Sequence, residues 1–354
     1  MSPKPGHFYG LQILRFVAAM LVVIGHTSEA YLTRIIGTDG SDYWQGGSAG
    51  VDLFFVISGF VMALTTERTD RASGSTWEQA WLFMQRRFVR IAPLYYFYLM
   101  LKIGLVLALP ALALRTTLEI EHILTSILFI PSMSPWGLIQ PILPVGWTLN
   151  FEMLFYLMFA LAIGFGFARL WFTALMFAVI FVLGQLLPDV AALKFYSQSI
   201  LFEFVLGIIV AKIYLSHPEP NLPAGALLFA MGATATLLVD WGPNADRLGT
   251  WGLGCAMLVL GAVWLEDWIA KFKSAPLLSF LGDSSYSIYL SHTFTVPLTV
   301  IVFKLLGITN IWAVTTGAFT VVMIVSCLSY LWIERPMINL FKLRVRGRGT
   351  SLPA

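Results

Sequence analysis

Arg15 and His26 lie inside an apolar segment, residues 8–27, that is long enough to cross a bilayer. An α-helix turns ~100° per residue, so these side chains share one face with ~16 Å between them along the axis. Arginine costs about 2.5–3.5 kcal/mol inside the bilayer on the insertion scale. Histidine is a general base near neutral pH, and arginine suits anionic or carbonyl oxygens. We interpret the pair as functional, against the alternatives of an interfacial histidine and a snorkelling arginine.

The second apolar segment carries a carboxylate in the stretch GGSAGVDLFFVISGF, residues 46–60. Close helix packing explains its small residues but not Asp52. We expect Asp52 to be functional or to pair with Arg15 or His26. Ser58 of the same stretch is a candidate for lining a polar tunnel.

The fourth apolar segment places Thr148, Glu152 and Tyr156 at positions i, i+4 and i+8, which gives it one polar face. Glu152 could orient the His26 ring or carry a proton, and the alternative is a glutamate satisfied by a neighbouring helix. We count Trp147 and Tyr156 among the tunnel or acceptor candidates.

The ninth apolar segment begins with Ser285, Tyr289 and His292 on one helix face. Composition permits a Ser/His/Asp triad, but no GxSxG turn is present, so we favour a polar tunnel lining. In the closing Glu-Arg-Pro of the tenth segment, helix termination at Pro336 is a sufficient explanation, and a binding role is secondary.

Three arginines without a lysine, Arg86, Arg87 and Arg90, stand in an inner loop on a short amphipathic helix just before the third segment. Arg86 and Arg90 share a face, and the guanidinium fork suits bidentate phosphate recognition. The alternative is topological, with stop-transfer charges that also contact anionic lipid.

Composition fixes the class of protein. Of 354 residues, 58% are hydrophobic and only 12% are charged, about half the charged share of a soluble domain. The repeated apolar runs predict an all-α polytopic membrane protein. The net charge of +3 does not indicate nucleic acid, because the basic residues stand in short loops beside the spans. Cys255 and Cys327 fall inside apolar segments and support neither a disulfide framework nor a metal site.

We predict about ten transmembrane helices, at roughly 8–29, 47–66, 91–111, 146–166, 169–187, 198–215, 222–240, 249–266, 282–305 and 310–334. Lysines and arginines in the loops and at the span ends then divide fifteen to five in favour of the inner side, so both termini are expected to be cytoplasmic. The apolar run at 120–130 is too short to cross and is expected to be re-entrant or interfacial. Residues 1–340 read as one membrane domain, followed by a basic cytoplasmic tail at 341–354.

Six stretches together resemble the acyltransferase-3 family of integral membrane acyltransferases: Arg15 with His26, GGSAGVDLFFVISGF, RRFVRIAPLYY, VGWTLNFEMLFY, FLGDSSYSIYLSH and the closing ERP. They occur in order from residue 8 to about 336. The fourth stretch looks most like the branch that acylates bacterial exopolysaccharides, the succinoglycan type.

The resemblance implies a bacterial inner-membrane enzyme that takes an acyl group, usually acetyl, from cytoplasmic acetyl-CoA and passes it to a carbohydrate hydroxyl. His26 would be the catalytic histidine with Arg15 as its partner, and Arg86 with Arg90 would hold the coenzyme phosphates. Some relatives continue into an SGNH domain. We expect none here, so that the membrane core or a separate protein of the polysaccharide synthesis machinery would complete the transfer.

Two other classes of function compete with this interpretation. A transporter or flippase for a glycan or lipid-linked sugar would also need intramembrane charges and a polar tunnel. A scaffold in a polysaccharide synthesis complex would keep its function when Arg15 or His26 is replaced. Direct transfer and an acyl-histidine intermediate both remain open.

Overall fold

The computed structural model describes residues 8–39, 44–69, 76–109, 118–135, 137–239 and 246–346. Within those ranges the chain is helical apart from loops and one isolated β-bridge between Met133 and Ile139. The α-helices are α1 Tyr9–Tyr31, α2 Ala49–Thr69, α3 Thr76–Ala108, α4 Ile120–Ile127, α5 Trp147–Phe165, α6 Arg169–Leu186, α7 Ala191–Tyr196, α8 Glu203–Ser216, α9 Leu222–Ala233, α10 Leu253–Trp264, α11 Glu266–Ile269, α12 Ala275–Asp283, α13 Ser285–Leu305, α14 Ile311–Ser329 and α15 Arg335–Arg346.

Eight helical segments in the described ranges are long and apolar enough to cross a bilayer. The other two predicted spans are the shorter apolar helices Leu222–Leu238 and Leu248–Trp264, each of which includes a π-helical turn. The prediction of an all-α polytopic membrane protein is confirmed. The orientation stays a prediction, and of the basic tail only the part up to Arg346 is described.

The helices form two compact units. The first unit contains α1, α2, α8 to α13 and α14 as far as Cys327. The second contains α3 to α7 and, after Leu328, the π-helical turn Tyr330–Glu334 with α15. Each unit carries its own set of the polar residues singled out above.

In the first unit, a distant carboxylate caps the N-terminus of α1. The backbone N–H groups of Tyr9 and Gly10 donate to the two oxygens of Glu266, at 2.6 and 2.9 Å. These N–H groups have no acceptor within the helix, and a negative charge at that end also interacts favourably with the helix dipole. The helix that carries Arg15 and His26 is thereby fixed at its first turn.

Helices α2 and α8 approach so closely that only glycine fits at their crossing. A Cβ atom on Gly59 would lie 2.1 Å from the carbonyl oxygen of Phe204, and one on Gly207 would lie 2.2 Å from that of Val56. Small residues permit this approach in membrane helices. The glycines of the second segment therefore serve packing, as the sequence suggested.

We expect Gly59→Ala to lower the free energy of unfolding by about 1–3 kcal/mol or more, because the added methyl group meets backbone that cannot move aside. The measurement is the unfolding midpoint in detergent. Gly104→Ala is the matched control, because a Cβ atom there meets nothing within 4 Å. Removing glycine from a helix interior stabilises by roughly 0.5–1 kcal/mol. Equal effects of the two substitutions would contradict the close crossing.

In the second unit, α3 and α5 pack antiparallel along much of their length. The Thr76 hydroxyl donates to the Gly164 carbonyl at 2.9 Å, and the ring of Tyr95 lies against Gly146. The N-terminal half of α3 is therefore paired with the apolar helix α5.

Helix α4 packs against α3 and does not cross the membrane. Its eight residues extend only ~12 Å. Tyr95 and Tyr96 donate hydrogen bonds to the carbonyls of Ser126 and Ile127, at 3.1 and 2.9 Å. These tyrosines lie ~18 Å along α3 from its C-terminal end. The re-entrant and interfacial alternatives for this run both stay predictions.

Helix termination at Pro336 is wrong. The π-helical turn Tyr330–Glu334 runs directly into α15, which begins at Arg335 and continues through the proline. Proline lacks an N–H and clashes with the carbonyl four residues earlier in a regular α-helix. The wider π turn, which bonds five residues back, changes the backbone spacing just before the proline.

Candidate active site

His26 is held by a carboxylate one turn further along α1. Its Nδ1 lies 3.1 Å from Oε2 of Glu29, and its side chain is 49% exposed. A carboxylate can only accept, so Nδ1 carries a hydrogen, and in the neutral imidazole Nε2 then carries the lone pair. This is the arrangement that a general base or a nucleophilic imidazole needs. The sequence analysis missed Glu29, although a carboxylate three residues from a histidine on a helix was a visible signal.

A second histidine is stacked on the first. The rings of His26 and His292 have centroids 5.2 Å apart and planes 28° apart, and Tyr289 lies 5.8 Å from His292. His292 is buried. Two of the residues predicted on one face of α13 thus come together with the predicted histidine of α1.

Three further candidates of the first unit, Arg15, Ser285 and Ser58, lie on α1, α13 and α2. Arg15 is partly buried on α1, and its Nη1 donates to Oε1 of Gln12 at 3.2 Å. Ser285 is buried at the start of α13, and its hydroxyl has no partner among the described residues. Ser58 is half-buried on α2.

Asp52 forms its ion pair with neither of the two expected partners. The side chain of Asp52 is fully buried, and both of its oxygens accept from Arg247, with Nε at 3.2 Å and Nη2 closer. Nη2 also donates to the Ser48 carbonyl at 3.2 Å. A buried carboxylate is stable only with such charged hydrogen bonds. The expected pairing of Asp52 with Arg15 or His26 is therefore wrong, because Arg247 lies far along the chain and nothing local in the sequence links it to Asp52.

Glu203, at the start of α8, is a further buried carboxyl that sequence reasoning missed. It is fully buried, and it interacts electrostatically with Asp52 and Arg247. Arg247 thus forms an ion pair with Asp52 and also interacts electrostatically with Glu203, which comes from a distant part of the chain.

In the second unit the three arginines lie on a helix, as predicted, and their place on the inner side stays a prediction. They lie within the single 33-residue helix α3, which is ~50 Å long. Their side chains also have different surroundings, because Arg86 is exposed while Arg87 and Arg90 are partly buried. The predicted boundary between a short amphipathic helix and a separate span is wrong. Arginine is a good helix former, so a charged stretch interrupts the hydropathy without interrupting the helix.

Arg87 faces the polar side of α5. Its guanidinium lies 5.8 Å from the ring centroid of Phe83, and Tyr156 and Glu152 are among its electrostatic neighbours. Glu152 accepts a short hydrogen bond from the Tyr156 hydroxyl four residues on. The polar face predicted for this helix is present, with Arg87 as its neighbour. Trp147 is partly buried at the start of α5.

Arg90 is paired with the closing Glu-Arg-Pro. Its Nη1 donates to Oε1 of Glu334 at 2.5 Å, and the glutamate is buried. Nearby, the Tyr98 hydroxyl donates to Oγ of Ser329 at 2.8 Å. The pair fixes one nitrogen of the arginine fork and leaves the side chain 30% exposed. A structural partner for Arg90, rather than helix termination, accounts for the glutamate.

The chain is similar to known proteins over most of its length. It matches the acyltransferase domain family at residues 8–332. The exopolysaccharide production protein ExoZ of Rhizobium meliloti (strain 1021) is 35% identical over 320 residues, 87% of this chain and 93% of that protein. The acyltransferase MdmB of Streptomyces mycarofaciens is 26% identical over 324 residues, 82% of this chain and 80% of that protein. No solved structure matches significantly.

Proposed function

The chain belongs to the acyltransferase domain family, and from that membership we propose that it transfers an acyl group, usually acetyl, from cytoplasmic acyl-CoA to a glycan hydroxyl. The acceptor would be a cell-surface or lipid-linked glycan, as the name of the exopolysaccharide production protein suggests. The observation that carries the proposal is the His26–Glu29 pair, whose Nε2 lone pair suits proton removal or acyl capture.

In this mechanism, His26 removes the proton of the acceptor hydroxyl while its Nδ1–H stays bonded to Glu29. The hydroxyl oxygen attacks the thioester carbonyl, an ester C–O bond forms and the C–S bond breaks. The proton on His26 then passes to the leaving thiolate. Arg15 lies ~16 Å from His26 along α1, and its guanidinium is bonded to Gln12 on the side away from His26, so in our proposal it would bind the acyl-CoA at the donor end of the site.

The arginines of α3 are our candidates for the coenzyme phosphates. Arg86 is exposed, and Arg90 is partly exposed and held at one nitrogen by Glu334. Arg87 would add positive charge beside them. A fork held in one orientation binds phosphate with less loss of side-chain freedom than a mobile one. This assignment suits the inner side of a bacterial inner membrane, where acyl-CoA is found.

The experiment is acetyl-CoA consumption by purified protein in detergent with a panel of glycan acceptors. We expect free CoA and an acylated glycan to appear together and to be lost in both Arg15→Ala and His26→Ala. A glycan flippase, the rival function, would move labelled sugar across vesicles and release no CoA. Intact protein that releases none over a broad acceptor panel would exclude the enzyme.

We expect Arg90→Ala to raise the KM for acetyl-CoA by about 10- to 150-fold, because a charged hydrogen bond contributes roughly 1.5–3 kcal/mol. The kcat per folded molecule at saturating donor should change little, and the unfolding midpoint is measured beside it because the substitution leaves the buried Glu334 without its arginine. Arg335→Ala is the control, since Arg335 is an exposed arginine of α15. An unchanged KM in Arg90→Ala would remove this residue from the donor site.

A further inference from the structure

His292 carries a buried nitrogen that the proposed mechanism does not use. Its Nδ1 lies 3.3 Å from the Ile288 carbonyl oxygen, and the side chain is buried. A carbonyl can only accept, so Nδ1 carries the hydrogen of the ring and Nε2 is a bare acceptor. Within the described residues, no group donates to this Nε2.

Packing alone does not explain a histidine at this position. A buried acceptor that has lost its water and found no donor is destabilising. The ring lies beside Tyr289, which itself packs edge-on against Phe54 at 6.1 Å. Phenylalanine would suit such aromatic surroundings without leaving an acceptor unpaired. The histidine is therefore better explained by a hydrogen-bond donor that is absent from the isolated chain.

The location of His292 indicates which donor this is. Its ring is stacked on His26, with the centroids 5.2 Å apart, and His26 is half-exposed. Any group bonded to Nε2 of His292 would lie within a few ångströms of the proposed base.

We propose that Nε2 of His292 accepts a hydrogen bond from a substrate bound beside His26, and so is a second substrate-binding residue of the acyl-transfer site. This inference rests on the proposed function. The donor is either a hydroxyl of the glycan or an amide N–H of the pantetheine arm of acyl-CoA. Both present an uncharged polar hydrogen, which a neutral imidazole nitrogen accepts.

The test compares His292→Phe, which keeps a ring and loses the acceptor, with His292→Gln, whose amide oxygen can replace Nε2. We expect kcat/KM to fall at least tenfold in His292→Phe and to recover in part in His292→Gln. A raised KM for the glycan identifies the hydroxyl as the donor, and a raised KM for acetyl-CoA identifies the pantetheine amide. His217→Phe and His217→Gln, at an exposed histidine, are the matched controls.

Two results would overturn the inference. Wild-type kcat/KM in His292→Phe would mean that the nitrogen holds only a structural water or nothing. Equal losses in both variants, with equally lowered unfolding midpoints, would mean that the histidine serves folding. Failure of the proposed function is recognised separately, because the wild-type protein would then release no CoA over the acceptor panel, and the His292 variants would not enter the comparison.

Discussion

His26→Ala should lower kcat for acyl transfer by about 10²- to 10⁴-fold, the usual contribution of a positioned general base. The substitution removes the Nε2 lone pair that faces the reaction in our proposal. Because the side chain is 49% exposed, little packing is lost with it. The measurement is the rate of CoA release at saturating glycan and acetyl-CoA. A His26→Ala enzyme that keeps more than a tenth of the wild-type kcat would contradict the assignment.

Glu29→Gln should also lower kcat for acyl transfer, but by a smaller factor than His26→Ala. The amide keeps the size of the carboxylate but removes the charge that Nδ1–H of His26 binds at 3.1 Å. A hydrogen bond to a charged group contributes about 1.5–3 kcal/mol, which corresponds to roughly 10- to 150-fold in kcat. His217→Ala and Glu219→Gln, at exposed positions of the first unit, should retain wild-type rates.

Radiolabelled acetyl-CoA distinguishes the two roles left open for His26. Label trapped on the wild-type protein and absent from His26→Ala would show an acyl-histidine intermediate. Absence of label from both, with kcat lost in His26→Ala, would show direct transfer with His26 as the base. Either outcome is compatible with the bond between Nδ1 and Glu29, which raises the electron density at Nε2 in both roles.

The sequence predicted correctly those features that a local pattern of residues determines. Helix periodicity placed Arg15 and His26 on one helix, and the same reasoning placed Tyr289 and His292 on one face of α13. Hydropathy located the membrane-spanning helices, because the bilayer imposes a length and a composition on each. It did not show that α3 continues from Thr76 through the arginines into the third span as one helix, because membrane boundaries and helix boundaries have different physical causes.

Contacts between distant segments could not be predicted from the sequence. Asp52 and Arg247 are 195 positions apart, and Arg90 and Glu334 are 244 apart. A charge count along the chain treats Arg247 as one more loop residue, since nothing in its neighbours reveals a buried carboxylate on another helix. From the sequence, Arg247 reads as a loop charge, and Arg90 reads as a stop-transfer charge or a phosphate-binding residue. In the structure their first partners are the protein's own buried glutamate and aspartate.

Arg247→Met should therefore be among the most destabilising substitutions in the chain, at about 3–5 kcal/mol. It leaves the carboxylate of Asp52 buried and without the two donors that the guanidinium supplies. Glu203 would lose its positive neighbour at the same time. The measurement is the free energy of unfolding in mixed detergent micelles. Arg335→Met is the control, because that arginine is exposed on α15.

The double variant Asp52→Leu/Arg247→Met distinguishes the contribution of the ion pair from the separate contributions of its two residues. Asp52→Leu alone should also destabilise, since it leaves the partly buried guanidinium without its carboxylate. Replacing both members removes the uncompensated charge, so the double variant should be more stable than either single one. That recovery, measured as the coupling energy of a double-mutant cycle, is what a buried ion pair predicts. Additive losses would instead mean that Asp52 and Arg247 stabilise the unit through separate contacts, and Glu203 would then be the first residue to examine as the arginine's partner.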